Sequence, residues 1–317
     1  MARTQITPPE VDEVKVSIIV DNSFDMLMAS SDVAHRFPLG PHAFENPLPV
    51  AEHGFSALIR VENGTSHGTV LFDTGITKTG VLHNIDVMEI NISDIEAIVL
   101  SHGHADHANG LVGILSRYGA QKLPLVLHPD AYLERKIVVP SGSEICLPAP
   151  KISDLRKEDV EVIEDTHPSM LVHDMVLVSG EINRTTDFEK GFPTHYAEHG
   201  DSWEPDPLIM DDQCAIMNLR NKGLVIVTGC GHSGIINVIR NAQSLTGVTQ
   251  IHAVIGGFHL TGGLFEAIIP DTIDALKKID PNYVMPGHCT GWSAIHQIAR
   301  AMPEKFIPSS VGTTLTF

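Results

Sequence analysis

The stretch Ser101-His102-Gly103-His104-Ala105-Asp106-His107-Ala108-Asn109-Gly110 places three histidines and an aspartate side by side, directly after the apolar run Ala97–Leu100. That run reads as a strand. In the extended chain leaving it, His102 and His104 face the same side, because side chains alternate with period two. The pair suits one cation, and Asp106 and His107, where the chain turns, can face a second cation beside the first. Imidazole nitrogen and carboxylate oxygen fit zinc, iron or manganese in a site with an open position. Single histidines at strand ends are often plain hydrogen-bonding residues, but packing explains this dense spacing poorly.

Upstream, Val14–Val20, Phe55–Val61 and Thr69–Phe72 read as strands, the last two joined by a hairpin through Glu62-Asn63-Gly64. After Asp73-Thr74-Gly75 the pattern turns helical to about Met88. Downstream come a helix over Ala108–Tyr118, a strand over Leu123–Leu127 and a helix over Pro129–Arg135, then an antiparallel meander from Val138 to Val178. The polar, proline-broken stretch Thr185–Pro207 reads as an excursion that covers an active site. The last third alternates regularly: strands at Leu224–Thr228, His252–Ile255 and Tyr283–Met285, with helices at Ile235–Leu245, Asp271–Ile279 and Ser293–Ala301. Each of these strands runs into a turn that holds a histidine: His232, His259 and His288. Three strands thus deliver imidazoles to one edge. No fixed-period repeat is present, so residues 1–317 are expected to form one domain.

The chain carries 39 acidic and 21 basic residues, a net charge of −18, which opposes a nucleic-acid partner. Its four cysteines (Cys146, Cys214, Cys230 and Cys289) show no paired spacing. With no apolar leader and no long apolar run, the default expectation is a cytoplasmic enzyme without membrane contact, acting on a small molecule. Assembly into a homo-oligomer is left open.

The HxHxDH cluster, Phe72-Asp73-Thr74-Gly75 and Pro286-Gly287-His288 resemble the metallo-β-lactamase superfamily. That resemblance implies an α/β (α+β) fold, the αββα sandwich, with two mixed sheets flanked by helices and a metal site at one edge. Five pieces resemble more narrowly the branch of the archaeal 7,8-dihydropterin-6-methyl-4-(β-D-ribofuranosyl)aminobenzene-5'-phosphate synthase: Val20–Asn22, Glu52–Ile59, Gly180–Phe192, Lys222–Ile239 and Gly256–Leu260. Carried over, the superfamily's roles make His102 and His104 ligands of a first ion, and Asp106, His107 and His288 ligands of a second. The ions are expected to be two divalent cations, zinc first, with manganese or iron as alternatives. Many members draw a further histidine from a turn that here reads Met210-Asp211-Asp212-Gln213, and a bridging aspartate where this chain has Cys230. His232 is taken as the missing ligand of the first site. Cys230 and Glu181 are alternatives, and a one-metal form stays open.

His259 has no evident place around either ion and is assigned as general acid, or else as a hydrogen-bond partner of a ligand. Asp73 either orients a ligand histidine or caps its own turn. Asn22, His53, Asn109 and Lys190 are candidate pocket residues. The reading is a metal-dependent hydrolase that uses activated water, steered by Asp106, on an ester, thioester, lactone or phosphoester. The alternatives are a synthase that joins a pterin methyl carbon to an aromatic ring, and a non-catalytic metal-binding regulator.

Overall fold

Strict alternation along the strands determines how the layers stack. In Gly223–Thr228, Val225 and Val227 join one apolar cluster while Leu224 and Ile226 join another; in Ser56–Asn63, Ala57, Ile59 and Val61 face one way and Leu58 the other. Both faces are buried, which is why these segments read as nearly continuous apolar runs. The computed structural model describes residues 5–118, 123–155 and 160–317.

One sheet runs in the order Glu161–Glu164, Pro124–Leu127, Ala97–Val99, Ser66–Phe72, Ser56–Asn63, Glu13–Val20, Thr314–Thr316, Ala34–His35. The other runs Ser169–Leu171, Val176–Val178, Cys214–Leu219, Gly223–Thr228, Ile251–Gly257, Tyr283–Gly287, with Glu10–Val11 pairing onto Cys214–Leu219. Both are mixed. Their facing sides share one core, built from Val16, Ile18, Val61 and Val99 on one side and Met217, Val225, Val227 and Met285 on the other. Helices Gly80–Val87 and Leu111–Tyr118 cover the outer face of the first sheet, and Ile235–Thr246, Ile269–Ile279 and Trp292–Ala301 that of the second. The result is the expected αββα sandwich. Each aliphatic side chain sealed between its layers contributes about 1.5–3 kcal/mol. Among the described residues no helix is long and apolar enough to cross a membrane.

Two expectations need correction. Pro129–Arg135 is not a helix: a 3-10 turn spans Pro129–Tyr132, and Arg135 opens the strand Arg135–Val138. The segment from Val138 to Val178 is not a meander either. Glu161–Glu164 pairs in parallel with Pro124–Leu127 in the first sheet, whereas Val176–Val178 pairs with Cys214–Leu219 in the second; residues 156–159 of this segment lie outside the described residues. Short β-prone pieces do not announce their partners. The excursion at Thr185–Pro207 contains strands His195–His199 and Ser202–Pro205, which join Arg135–Val138 and Glu144–Leu147 in a small antiparallel sheet.

At the end of the sandwich core, His252 is buried against Tyr283 and Phe317, with its Nδ1 3.0 Å from the Asn282 amide nitrogen. Burial, helped by the Lys222 charge, pushes its pKa down to about 4. A depressed histidine contributes stability that is present above its ordinary value near 6.5 and is lost as pH falls toward about 4. Urea midpoints should therefore fall between pH 7 and pH 5, and fall less in His252→Gln. An equal fall in both proteins would contradict this assignment.

Candidate metal centre

Parallel pairing puts the carboxyl ends of the strands on one side. Asp73 follows Ser66–Phe72 and the HxHxDH loop follows Ala97–Val99; Cys230 and His232 follow Gly223–Thr228, His259 follows Ile251–Gly257, and His288 follows Tyr283–Gly287. Close approach there demands glycine. A Cβ on Gly103 would sit 2.0 Å from the Ala131 carbonyl oxygen, and one on Gly229 would sit 2.1 Å from Ser101 Oγ. Asp73 (φ 60°), His259 (φ 43°) and His288 (φ 45°) all take left-handed backbone conformations that are uncommon for residues with a Cβ, and such outliers cluster at functional sites.

The first donor group is His102, His104 and His232, all buried. His104 Nδ1 lies 3.0 Å from His102 Nε2 and 3.2 Å from His232 Nε2. Burial holds all three rings well below the ordinary histidine value, so each is neutral and owns one proton. For His102 that proton sits on the outer nitrogen: Ser101 Oγ donates to Asp73 Oδ2 at 2.7 Å and so accepts from His102 Nδ1 at 2.9 Å. Its inner nitrogen presents a lone pair to its neighbours, an arrangement that is repulsive until a cation enters.

The second group is Asp106, His107, Cys230 and His288. His107 Nε2 stands 3.1 Å from Cys230 Sγ and 3.2 Å from His288 Nε2, which is in turn 3.3 Å from Asp106 Oδ2. The outer nitrogens are again engaged. Asp73 Oδ2 accepts from His107 Nδ1 at 2.7 Å, so Asp73 orients a histidine of this group. Asn22 Oδ1 accepts from His288 Nδ1 at 3.2 Å. Burial opposes charge on His107, but the carboxylates of Asp73 and Asp106 outweigh it and push its pKa up to about 9. Burial also resists ionisation of Asp106; the surrounding rings of His107, His288 and His53 prevail and hold its carboxyl well below the usual range.

Both groups fit divalent cations in donor type and in the direction of their lone pairs. His232 lies in the first group and Cys230 in the second. Glu181 is in neither: its Oε1 is 3.4 Å from His128 Nε2. His259 joins Cys230 and Cys289 in a further cluster, and its ring centre is 4.2 Å from that of His232. Asn22 and His53 act as supports, since Asn22 Nδ2 donates to His53 Nδ1 at 3.3 Å and His53 Nε2 reaches Asp106 Oδ2 at 3.4 Å. Asn109 is exposed beyond the short helix Ala105–Ala108.

Several supporting residues carry no motif in the sequence. In the turn Met210–Gln213, Asp211 Oδ2 accepts from Gly103 N and Asp212 Oδ2 from Ser233 N, both at 2.8 Å. These acids hold the two ligand-bearing loops from behind. Buried Arg135 forks onto Asp211 at 2.7 and 3.1 Å and reaches Asp206 at 3.0 Å. The Gly180–Phe192 motif proves largely architectural. Glu189 accepts from Ile236 N and Asn237 N at 2.8 and 2.9 Å, and Asn237 Oδ1 accepts from Thr185 N at 2.7 Å, which pins the excursion to helix Ile235–Thr246. A cavity of about 220 Å³ opens between the excursion and the loops that follow strands Gly223–Thr228 and Ile251–Gly257, lined by Phe188, Lys190, Phe258, Phe265, His232 and His259.

The metallo-beta-lactamase superfamily model matches residues 50–175. The 7,8-dihydropterin-6-methyl-4-(beta-D-ribofuranosyl)-aminobenzene-5'-phosphate synthase of Methanocaldococcus jannaschii is 31% identical over 84% of this chain and 90% of its own length. An uncharacterized protein of the same organism is 30% identical over 83% of this chain and 92% of its own. Among solved structures, Tm1679, described as a metal-dependent hydrolase of the beta-lactamase superfamily, superposes with a TM-score of 0.73 at 22% identity, covering 95% of this chain and 98% of that one. With this likeness in sequence and fold, and with its histidines and aspartate gathered at one sheet edge, the chain belongs to the metallo-β-lactamase superfamily, in the branch of the Methanocaldococcus synthase.

Proposed function

We propose that this chain is a metal-dependent hydrolase of a small molecule, its two donor groups each holding one divalent cation, with zinc the first choice. The observation that carries this reading is the adjacency of the two groups, one of them touching the cavity through His232. Cations at such a centre supply Lewis acidity and lower the pKa of a water beside them.

The side chains then have distinct tasks. Asp106, beside His107 and His288, steers the attacking water and helps hold the second cation. His259 lines the cavity, with its Nδ1 buried and lacking a protein partner among the described residues. We assign it to donate the proton that the leaving group needs as the ester, lactone or phosphoester bond breaks. Lys190 on the cavity wall offers a cation to an anionic substrate group. Phe188, Phe258 and Phe265 favour a flat apolar moiety.

That aromatic lining, together with the 31% identity to the Methanocaldococcus synthase, favours a second reading. In it the amino nitrogen of an aminobenzene, rather than water, attacks the methylene carbon of a pterin-methyl diphosphate: the new C–N bond forms as the C–O bond to diphosphate breaks, and the amine gives up a proton. Mass analysis of products separates the two. The metal-loaded protein is incubated with a panel of esters, lactones and phosphodiesters, and separately with a pterin diphosphate plus the ribofuranosylaminobenzene phosphate. Hydrolysis of a panel member, with no joined product, supports the first reading, whereas a joined product overturns it.

His102→Ala and Asp106→Ala should each lose a bound cation and more than about 100-fold in turnover, beyond the 10- to 100-fold typical of an outer partner. Full turnover in cation-free Asp106→Ala would contradict the proposal. The second cation must displace the proton that His107 retains up to about pH 9. Its apparent affinity should therefore rise with pH up to about 9, by at least tenfold per unit. Chelator competition at pH 6, 7 and 8 measures this, and an affinity independent of pH would contradict the assignment of His107.

A further inference from the structure

One histidine touches the centre from outside both donor groups. His195 is fully buried on strand His195–His199, and its Nε2 lies 3.0 Å from His104 Nε2. Its other ring nitrogen, Nδ1, lies 3.0 Å from the backbone carbonyl oxygen of Asp206. A carbonyl can only accept, so Nδ1 carries a proton, and in the one-proton form of the ring Nε2 carries the lone pair. This contact belongs to neither donor group, so no cation sits there to relieve two facing lone pairs, and His104 donates through its Nε2–H. The remaining nitrogen of His104, Nδ1, is then bare, and it is the one that faces His102 and His232.

The elements that hold His195 are the same ones that hold the ligand loop. Strand His195–His199 pairs with Arg135–Val138, and Asp206 N donates back to the His195 carbonyl at 2.9 Å. The Arg135 guanidinium reaches Asp206 Oδ2 at 3.0 Å and forks onto Asp211, whose Oδ2 receives Gly103 N from between the two loop histidines. A single buried cation thus ties the residue that orients His195 to the backbone that carries His102 and His104.

We propose that His195 is a positioning residue: it fixes the tautomer of His104 so that Nδ1 is the nitrogen offered to the cation of the first group. This rests on reading that group as a metal site. A histidine that donates its outer N–H to a good acceptor is a more basic and better oriented ligand, so the contact also tunes how tightly the cation is held.

In the zinc-loaded protein, nitrogen NMR should show a proton on His104 Nε2, coupled across the hydrogen bond to His195 Nε2. A bare His104 Nε2 would overturn the proposal. Loss of the acceptor in His195→Leu should weaken the first cation by about 10- to 100-fold and shift the visible absorption of the cobalt-loaded protein. His195→Gln, whose carbonyl oxygen can accept from His104, should restore both. Equal losses in the Leu and Gln variants, at matched unfolding midpoints of the cation-free proteins, would show a packing role only and overturn the assignment. Wild-type protein that binds no zinc at the first group would instead overturn the metal-site reading itself, so the two failures are distinguishable.

Discussion

The buried imidazoles at the sheet edge are wired from their outer sides. Ser101, Asp73 and Asn22 each claim the outer nitrogen of a ring, which leaves the inner nitrogens of His102 and His288 as acceptors and turns inward the proton that His107 retains. An unpaired buried polar group costs about 1–3 kcal/mol. Several converging acceptors are tolerable only if something positive sits between them. The sandwich, with its apolar faces sealed on both sides, supplies the rigidity that keeps the rings from turning away to find other partners.

The support is largely acidic, and it lies one layer behind the rings. Asp73 binds Ser101 through both its oxygens and also receives His107, so one carboxylate sets rings in both donor groups. Asp211 and Asp212 secure the backbone of the loops that bear His104 and His232. Part of the net charge of −18 is therefore concentrated where cations are expected. Cys230 gives the second group a sulfur donor beside the carboxylate of Asp106 and the two imidazoles. Burial keeps that thiol protonated well beyond its usual range, so a cation must displace its proton to use it.

The centre's front half was legible because it is local. His102, His104, Asp106 and His107 lie in one loop, and period-two alternation says which of them share a face. His232 and His288 could be placed because each follows an unmistakable apolar strand. The strand–helix succession implied a covered sheet, while the two-sheet sandwich was implied by the resemblance of the HxHxDH, FDTG and PGH motifs to the superfamily. What stayed hidden depends on contacts between segments remote in sequence. His195 looked like one histidine among many in a polar excursion, because its partner strand begins at Arg135, in a stretch whose local pattern suggested a helix. Asp211 and Asp212 read as the absence of a histidine. Only the folded chain shows that they support the ligand loops from the rear.

The most direct test of the account is an anomalous difference map from crystals of the protein as purified, recorded at the absorption edges of zinc, iron and manganese. The account predicts one peak about 2.0–2.1 Å from His102 Nε2, His104 Nδ1 and His232 Nε2, and a second among Asp106, His107, His288 and Cys230. Imidazoles rotated to hydrogen-bond one another, with no peak between them, would contradict it.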